Sequence, residues 1–241
     1  MDEQIEKLKG LVPDLIKDGF NENISEGGFK KLIPTLVEKG IDNIDFSMFN
    51  EDLRISLLNE LGEQYLRKGN LDNAVKSFLL ARNNQKLSEV GKDYQKLGKY
   101  KEAINTFNLA KDTKNLNQIG EESLTEGRLP EAIKAFKLLE NKNKLNQVGD
   151  FCLQREKYDF AVEVYRALDN KKKLKELGLL CLEKRKYAYA SQAFETLKEP
   201  DMLNKLGDAL LKDGLFSAAE RSYALANNEM MVNFIKANFK D

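Results

Sequence analysis

One glycine recurs along this chain at a fixed interval. Gly62 is followed by Gly91, Gly120, Gly149, Gly178 and Gly207, each 29 residues after the last, with no insertion or deletion. An alanine keeps the same step at Ala74, Ala103, Ala132, Ala161, Ala190 and Ala219, and an aromatic keeps it at Phe78, Phe107, Phe136, Tyr165, Phe194 and Tyr223. Self-similarity at one period over residues 55–228 marks a stacked-repeat architecture, in which a unit buries its apolar face only against its neighbours. Such a chain is expected to work by binding on its surface. The repeat does not say what is bound.

Each repeat reads as a helix pair. Leu58, Leu61 and Leu66 become Leu116, Ile119 and Leu124 two repeats on, and this spacing lines one helical face. A glycine then stops the first helix at Gly69, Gly98, Gly127 and Gly214, as a left-handed terminus requires. Glu156 and Arg185 hold that place in repeats four and five, where the turn is expected to close differently. The second helix is predicted to begin near Leu71, Tyr100, Leu129, Tyr158, Tyr187 and Phe216, with Pro130 in a first turn that tolerates it. Asn83, Asp112, Asn141, Asn170, Glu199 and Asn228 end the repeats, and most of them can cap the helix that follows. The glycine inside the first helix costs ~1 kcal/mol relative to alanine, so it needs a packing reason. The expected reason is a close crossing with the alanine twelve residues on, Gly62 against Ala74 for instance, with the aromatic filling the space one turn later.

Leu58, Leu61, Gly62, Tyr65, Ala74, Phe78 and Ala81, repeated as Leu87, Val90, Gly91, Tyr94, Ala103, Phe107 and Ala110, resemble the tetratricopeptide repeat. The resemblance covers about three-quarters of the chain. It departs from the family in carrying leucine where the usual tryptophan stands, and in a period of 29 residues rather than ~34. It implies an all-α fold, a right-handed α-solenoid of stacked helix-turn-helix repeats whose first helices line a concave, peptide-binding face. The expected organisation is an N-terminal helical cap over 1–54, six repeats (55–83, 84–112, 113–141, 142–170, 171–199 and 200–228), and a capping helix over 229–241. Within the cap, helices are expected over 2–17 and 29–39 around a loop at 19–28, with Pro34 either inside the second or marking a later start of it.

Composition excludes several function classes. The chain has no histidine, which removes Ser-His-Asp and Cys-His nucleophiles and histidine-containing zinc sites. Its two cysteines, Cys152 and Cys181, are too few for a four-thiolate site, and no phosphate-binding glycine loop is present. No catalytic residue, metal or cofactor is expected. The cysteines stand one repeat apart, where stacked helices lie ~8–10 Å from each other, beyond the ~7 Å reach of a disulfide. They are expected reduced and buried. Lys+Arg and Asp+Glu both number 39, so the basic excess of a nucleic-acid binder is missing; Lys171, Lys172 and Lys173 read as a solvated helix start. The acidic, amphipathic start lacks the pattern of a secretory signal, and no apolar run reaches the ~20 residues of a membrane span. A cytoplasmic protein without membrane insertion is expected.

Two rows on the first helices are candidates for a binding groove. Asn59, Asn117, Asn146 and Asn204 share one repeat position, and amides there could pair with a ligand backbone. Glu63, Glu121, Asp150 and Asp208 lie one turn further on and would favour a partner with basic residues. A second candidate is apolar: Phe151, Leu179, Leu180 and Tyr189, with Phe160, stand where most other repeats are polar. They form either a patch for a partner or second copy, or buried core. The expected function is a non-enzymatic scaffold binding a peptide or protein partner, alone or within a larger complex. The alternatives are RNA binding by helical repeats and an accessory or catalytic enzyme subunit that uses carboxylates alone.

Overall fold

The computed structural model describes residues 33–47 and 49–239. The predicted helix over 2–17 and the loop at 19–28 lie outside them. The described residues form fourteen α-helices and one 3-10 turn, Ile41–Asn43, with no strand. The first helix, α1, is Ile33–Lys39. Six pairs follow: α2 (Glu51–Arg67) with α3 (Leu71–Leu80), α4 (Asn84–Lys96) with α5 (Tyr100–Leu109), and α6 (Thr113–Thr125) with α7 (Leu129–Leu138). Then come α8 (Lys142–Gln154) with α9 (Tyr158–Ala167), α10 (Lys171–Glu183) with α11 (Tyr187–Leu197), and α12 (Pro200–Lys212) with α13 (Phe216–Leu225). A last helix, α14 (Glu229–Phe239), has no second helix after it among the described residues. The fold is all-α, a solenoid-like succession of packed helix pairs.

The second helices start at the residues the repeat predicts. Pro34 lies in α1, and the expected start of this helix falls at the edge of the described residues. Asn50 caps α2 by accepting from the Leu53 N–H at 2.9 Å, which starts this first helix one turn earlier than in the other pairs. Asn83, Asn141 and Asn170 cap their following helices in the same way, as do Asp112 and Asn228. Glu199 makes no such bond; Pro200, first in α12, has no N–H to satisfy.

The turns in repeats four and five do not close differently, contrary to expectation. Gly69, Gly98, Gly127 and Gly214 have φ of 70–75°, and Glu156 and Arg185 adopt the same left-handed conformation at 55° and 57°. The hydrogen bonds match too: Asn70 N to Tyr65 O at 2.8 Å has its counterpart in Lys157 N to Cys152 O at 2.8 Å. The closing bonds define the turn, and a side chain at its left-handed residue adds strain of about 1 kcal/mol without changing its shape.

The helical glycines also have a different neighbour from the one expected. A β-carbon on Gly62 would lie 2.5 Å from the Phe78 ring, and on Gly178 2.4 Å from the Phe194 ring. The other four glycines meet Phe107, Phe136, Tyr165 and Tyr223 at 2.6–2.9 Å. The close partner is thus the aromatic sixteen residues on, not the alanine twelve residues on. Both face the same side of the second helix. The ring atoms are the nearest to each such β-carbon, and the alanine twelve residues on is fully buried.

The chain divides into two compact units between Asn115 and Leu116. In the first, α1 packs on α2, and α2 to α5 pack in chain order. In the second, α7 to α14 pack in chain order, and the second helices α7, α9 and α11 also touch in succession. The core of the second unit runs from Leu129 to Ile235 and includes both cysteines, unpaired and fully buried. Burial pushes each thiol up to about 11, so both stay protonated at neutral pH.

Candidate functional site

The asparagine row bonds largely within the chain. Asn59 accepts from the Asn83 amide at 2.7 Å, and Asn204 accepts from that of Asn228 at 2.8 Å. Asn83 and Asn228 are the caps of the next first helices, so each bond ties one first helix to its successor. Where the row is not asparagine the tie persists in other chemistry. Ser88 donates to Asp112, and Lys175 pairs with Glu199 at 2.7 Å. Asn117 and Asn146 differ: Asn117 donates to Glu121 of its own helix at 3.0 Å, and Asn146 to its own helix's Lys142 carbonyl at 3.0 Å.

The acidic row is tied in the same direction. Glu63 pairs with Lys86 at 2.8 Å, Glu121 with Lys144 at 3.0 Å, and Asp150 with Lys173. Each lysine lies in the first turn of the next first helix. Asp150 also accepts from the Tyr165 hydroxyl at 2.8 Å, and Asp208 from that of Tyr223 at 2.6 Å. Met231 stands opposite Asp208 in place of a lysine, and Leu179 in this row has Met202 as its counterpart.

These contacts set the electrostatics. Lys144 and then Asn117 hold the Glu121 carboxyl below its ordinary range. Burial raises Asp150, but the Lys173 ammonium and the Tyr165 hydroxyl outweigh it and the net shift is downward. Glu63 and then Glu89 raise Lys86. Burial, and then the carboxylate beside each, raise Tyr165 and Tyr223. Glu121 and Asp150 are therefore ionised at neutral pH, and at three of the four carboxylates of the row a lysine already matches the charge.

The lysines and the tyrosine partners were missed from the sequence, although a signal for both was there. Acid and lysine recur together 23 residues apart. The aromatic packed against the helical glycine is tyrosine at 165 and 223, where the row has Asp150 and Asp208; it is phenylalanine where the row has glutamate, lysine or leucine. Only the shorter acid meets a hydroxyl.

The four apolar candidates do not form one exposed surface. Phe151, Leu180 and Tyr189 are half-buried against the core of the second unit, as is Phe160. Arg155 lies over the Phe151 ring at 5.1 Å, and Tyr189 packs on Tyr158 with ring centres 5.7 Å apart. Leu179 alone of the four is exposed, at 39%.

In the first unit, α1 and α2 line an open groove of about 670 Å³. Pro34 and Val37 of α1 give it an apolar side, and Asn59, Glu60, Glu63 and Arg67 of α2 a polar one. Among the described residues no helix is long and apolar enough to cross a membrane. No protein-family model matches the chain, and comparison with curated proteins gave no match.

Proposed function

We propose that this chain is a non-enzymatic interaction scaffold of the tetratricopeptide type. It would hold a peptide or protein segment against the exposed faces of its first helices, alone or as a subunit of a larger complex, in the cytoplasm. The observation that carries the reading is the open groove between α1 and α2. An apolar wall facing a few polar and charged groups is the make-up of a binding site, and Asn59 and Glu63, drawn from both candidate rows, line it. The ionisation of Glu121 and Asp150 argues in the same direction. A general acid needs a carboxyl raised toward neutral pH, whereas Glu121 and Asp150 are shifted down. The match of row carboxylates to lysines narrows the preference for a basic partner to places where a carboxylate has no lysine opposite.

The test uses the full chain as bait beside a Val37→Glu, Glu60→Lys variant. Both side chains reach solvent, so the melting temperature should hold. A partner retained by the native chain and lost by the variant supports the scaffold. Partners indifferent to the variant, or none retained, remove the reading.

A further inference from the structure

The second helices α7, α9 and α11 pack on one another in succession, but α13 does not join them as closely. An open groove of about 300 Å³ lies between α11 and α13, the size of a small ligand site. Tyr187 and Ser191 line it from α11; Ala218 and Leu225 line it from α13, and Leu215 from the turn before that helix.

The preceding pair of second helices shows what is missing. Between α9 and α11, Tyr189 packs on Tyr158 with ring centres 5.7 Å apart. Tyr158 is the first residue of its helix and Tyr189 the third of the next. One repeat on, Tyr187 holds the place of Tyr158, and Ala218 holds the place of Tyr189. Among the described residues no ring packs on Tyr187. At the following step a ring partner returns: Phe216, equivalent to Tyr187, stacks on Phe239 of α14 with ring centres 4.2 Å apart. A second filler is lost as well. Ile133 and Val162 are buried at the fifth position of α7 and α9, and Ser191 stands there in α11.

The rim has changed in the opposite sense. Leu215 is 46% exposed, and its equivalents Asn70, Lys99, Arg128, Lys157 and Lys186 are all polar. A single exposed leucine needs no explanation. A leucine gained at the rim of a place that has lost its ring favours an apolar group arriving from outside.

The polar groups of the groove are already engaged. Glu195 and Arg221, the charged residues that line it, pair at 3.5 Å. The Ser191 hydroxyl donates to Glu195 at 2.6 Å, and the Tyr187 hydroxyl to Asp213 at 2.5 Å. What the groove still offers is apolar surface and the Tyr187 ring, which suits a second ring.

We infer that the groove between α11 and α13 receives an aromatic side chain of a partner protein, laid against Tyr187 in the place that Tyr189 takes on Tyr158. The site lies in the second unit and stands apart from the α1–α2 groove. Its affinity changes little with salt, because the charged residues that line it are matched to each other.

Filling the groove from within is the test. Ala218→Tyr restores the residue of the preceding repeat, and Leu215→Lys restores the lysine that three other repeats carry at the rim. A displayed library of random dodecapeptides is panned on the full chain, with Ala218→Tyr as counter-selector. Enriched peptides are synthesised and titrated by fluorescence anisotropy against the native chain and both variants. The expected peptides share one Phe, Tyr or Trp. They lose roughly tenfold or more in affinity on Ala218→Tyr, or when that aromatic is changed to alanine, and several-fold on Leu215→Lys. Ala218→Tyr itself should melt a few degrees above the native chain, since its ring gains the Tyr187 contact. An unchanged or lower melting temperature shows that the groove does not seat a ring and overturns the site. Enriched peptides without an aromatic overturn it too. Peptides kept by Ala218→Tyr but lost on the Val37→Glu, Glu60→Lys variant uphold the scaffold and overturn this site. A library that yields no binder to the native chain counts against both. Native dimers in sedimentation velocity that Ala218→Tyr abolishes give the groove to a second copy and overturn the partner.

Discussion

The glycine seam and the polar rows both repeat every 29 residues, but they vary in opposite ways. Along the seam the chemistry hardly changes: glycine six times, and opposite it phenylalanine or tyrosine. Along the rows it changes freely, from Asn59–Asn83 to Ser88–Asp112 to Lys175–Glu199, yet the two partners change together. The seam is constrained by shape, because a ring resting on a bare backbone leaves no room for a β-carbon. The rows are constrained by pairing, and any donor–acceptor pair of the right reach satisfies them. Constancy from repeat to repeat thus marks steric contact, and joint variation marks contact between polar neighbours. Neither is a signature of a ligand.

The largest effect should come from the seam. Gly178→Leu places a whole side chain where one β-carbon already meets the Phe194 ring at 2.4 Å. The loss should exceed ~3 kcal/mol, the upper end of ordinary overpacking, and Gly178→Ala should lose less. Phe194→Leu should recover part of the alanine variant's loss by shortening the obstructing side chain. Thermal and urea denaturation measure all three. A leucine variant that melts like the native chain would show that the seam is not steric.

Substitutions in the rows should cost about 1 kcal/mol each and should be repairable in pairs. Lys175→Glu sets two acids together and destabilises the chain; adding Glu199→Lys should restore it. Asn204→Ala, which breaks the tie to Asn228, should lower the urea midpoint. Asn117→Ala with Asn146→Ala should not, since those amides bond only within their own helices. Equal loss in both asparagine variants would end the distinction between tied and untied members of the row.

The helix boundaries were legible because they depend on local chemistry. Asn83 and Asn170 could cap and Gly98 could stop a helix wherever the fold placed them. The seam was half legible: a costly glycine announced a close contact. But Ala74 and Phe78 lie on the same face of α3, and the sequence could not say which of them touches Gly62. The rows were legible as rows but misread in their partners, since the bond from Glu63 to Lys86 needs the stagger between successive helices. The apolar candidates mixed core and surface because neighbouring positions such as Leu179 and Leu180 face different ways by only one helical step.

Acid should separate the rows from the seam more gently. The Asp150 carboxyl, held below its ordinary 3.8, binds a proton less readily in the folded chain than in the unfolded one. Folding therefore gains from it above that pH, and the gain drains away as pH falls through and below 3.8. Asp150→Asn should lie below the native chain in urea midpoint at neutral pH, and the two should converge as pH drops beneath that value. The stability lost by Gly178→Ala should persist across the same range, because no proton is involved. A pH-independent gap for Asp150→Asn would assign its bonds to Lys173 and Tyr165 no electrostatic share of stability.

The smallest effect tests whether the repeats are as interchangeable at their turns as along their seam. Glu156 and Arg185 adopt the left-handed conformation that glycine takes at Gly69, Gly98, Gly127 and Gly214. Glycine there relieves the strain of a β-carbon, about 1 kcal/mol, but gives back part of it by loosening the unfolded chain. The exposed pair Glu156–Lys184, at 2.5 Å, is lost as well and contributes little; Arg185–Asp213, at 3.2 Å, is lost too, but the half-buried Asp213 keeps its hydrogen bond from the Tyr187 hydroxyl. Glu156→Gly and Arg185→Gly should therefore each stabilise the chain by a few tenths of a kcal/mol, up to about 1. Replacing Gly98 with arginine should destabilise it by a similar amount, since the same strain is introduced where it was absent. A rise in the urea midpoint for the first two with a fall for the third would show one turn geometry serving all six repeats. A fall in all three would mean that Glu156 and Arg185 hold their turns through their ion pairs, and that repeats four and five close by a chemistry of their own.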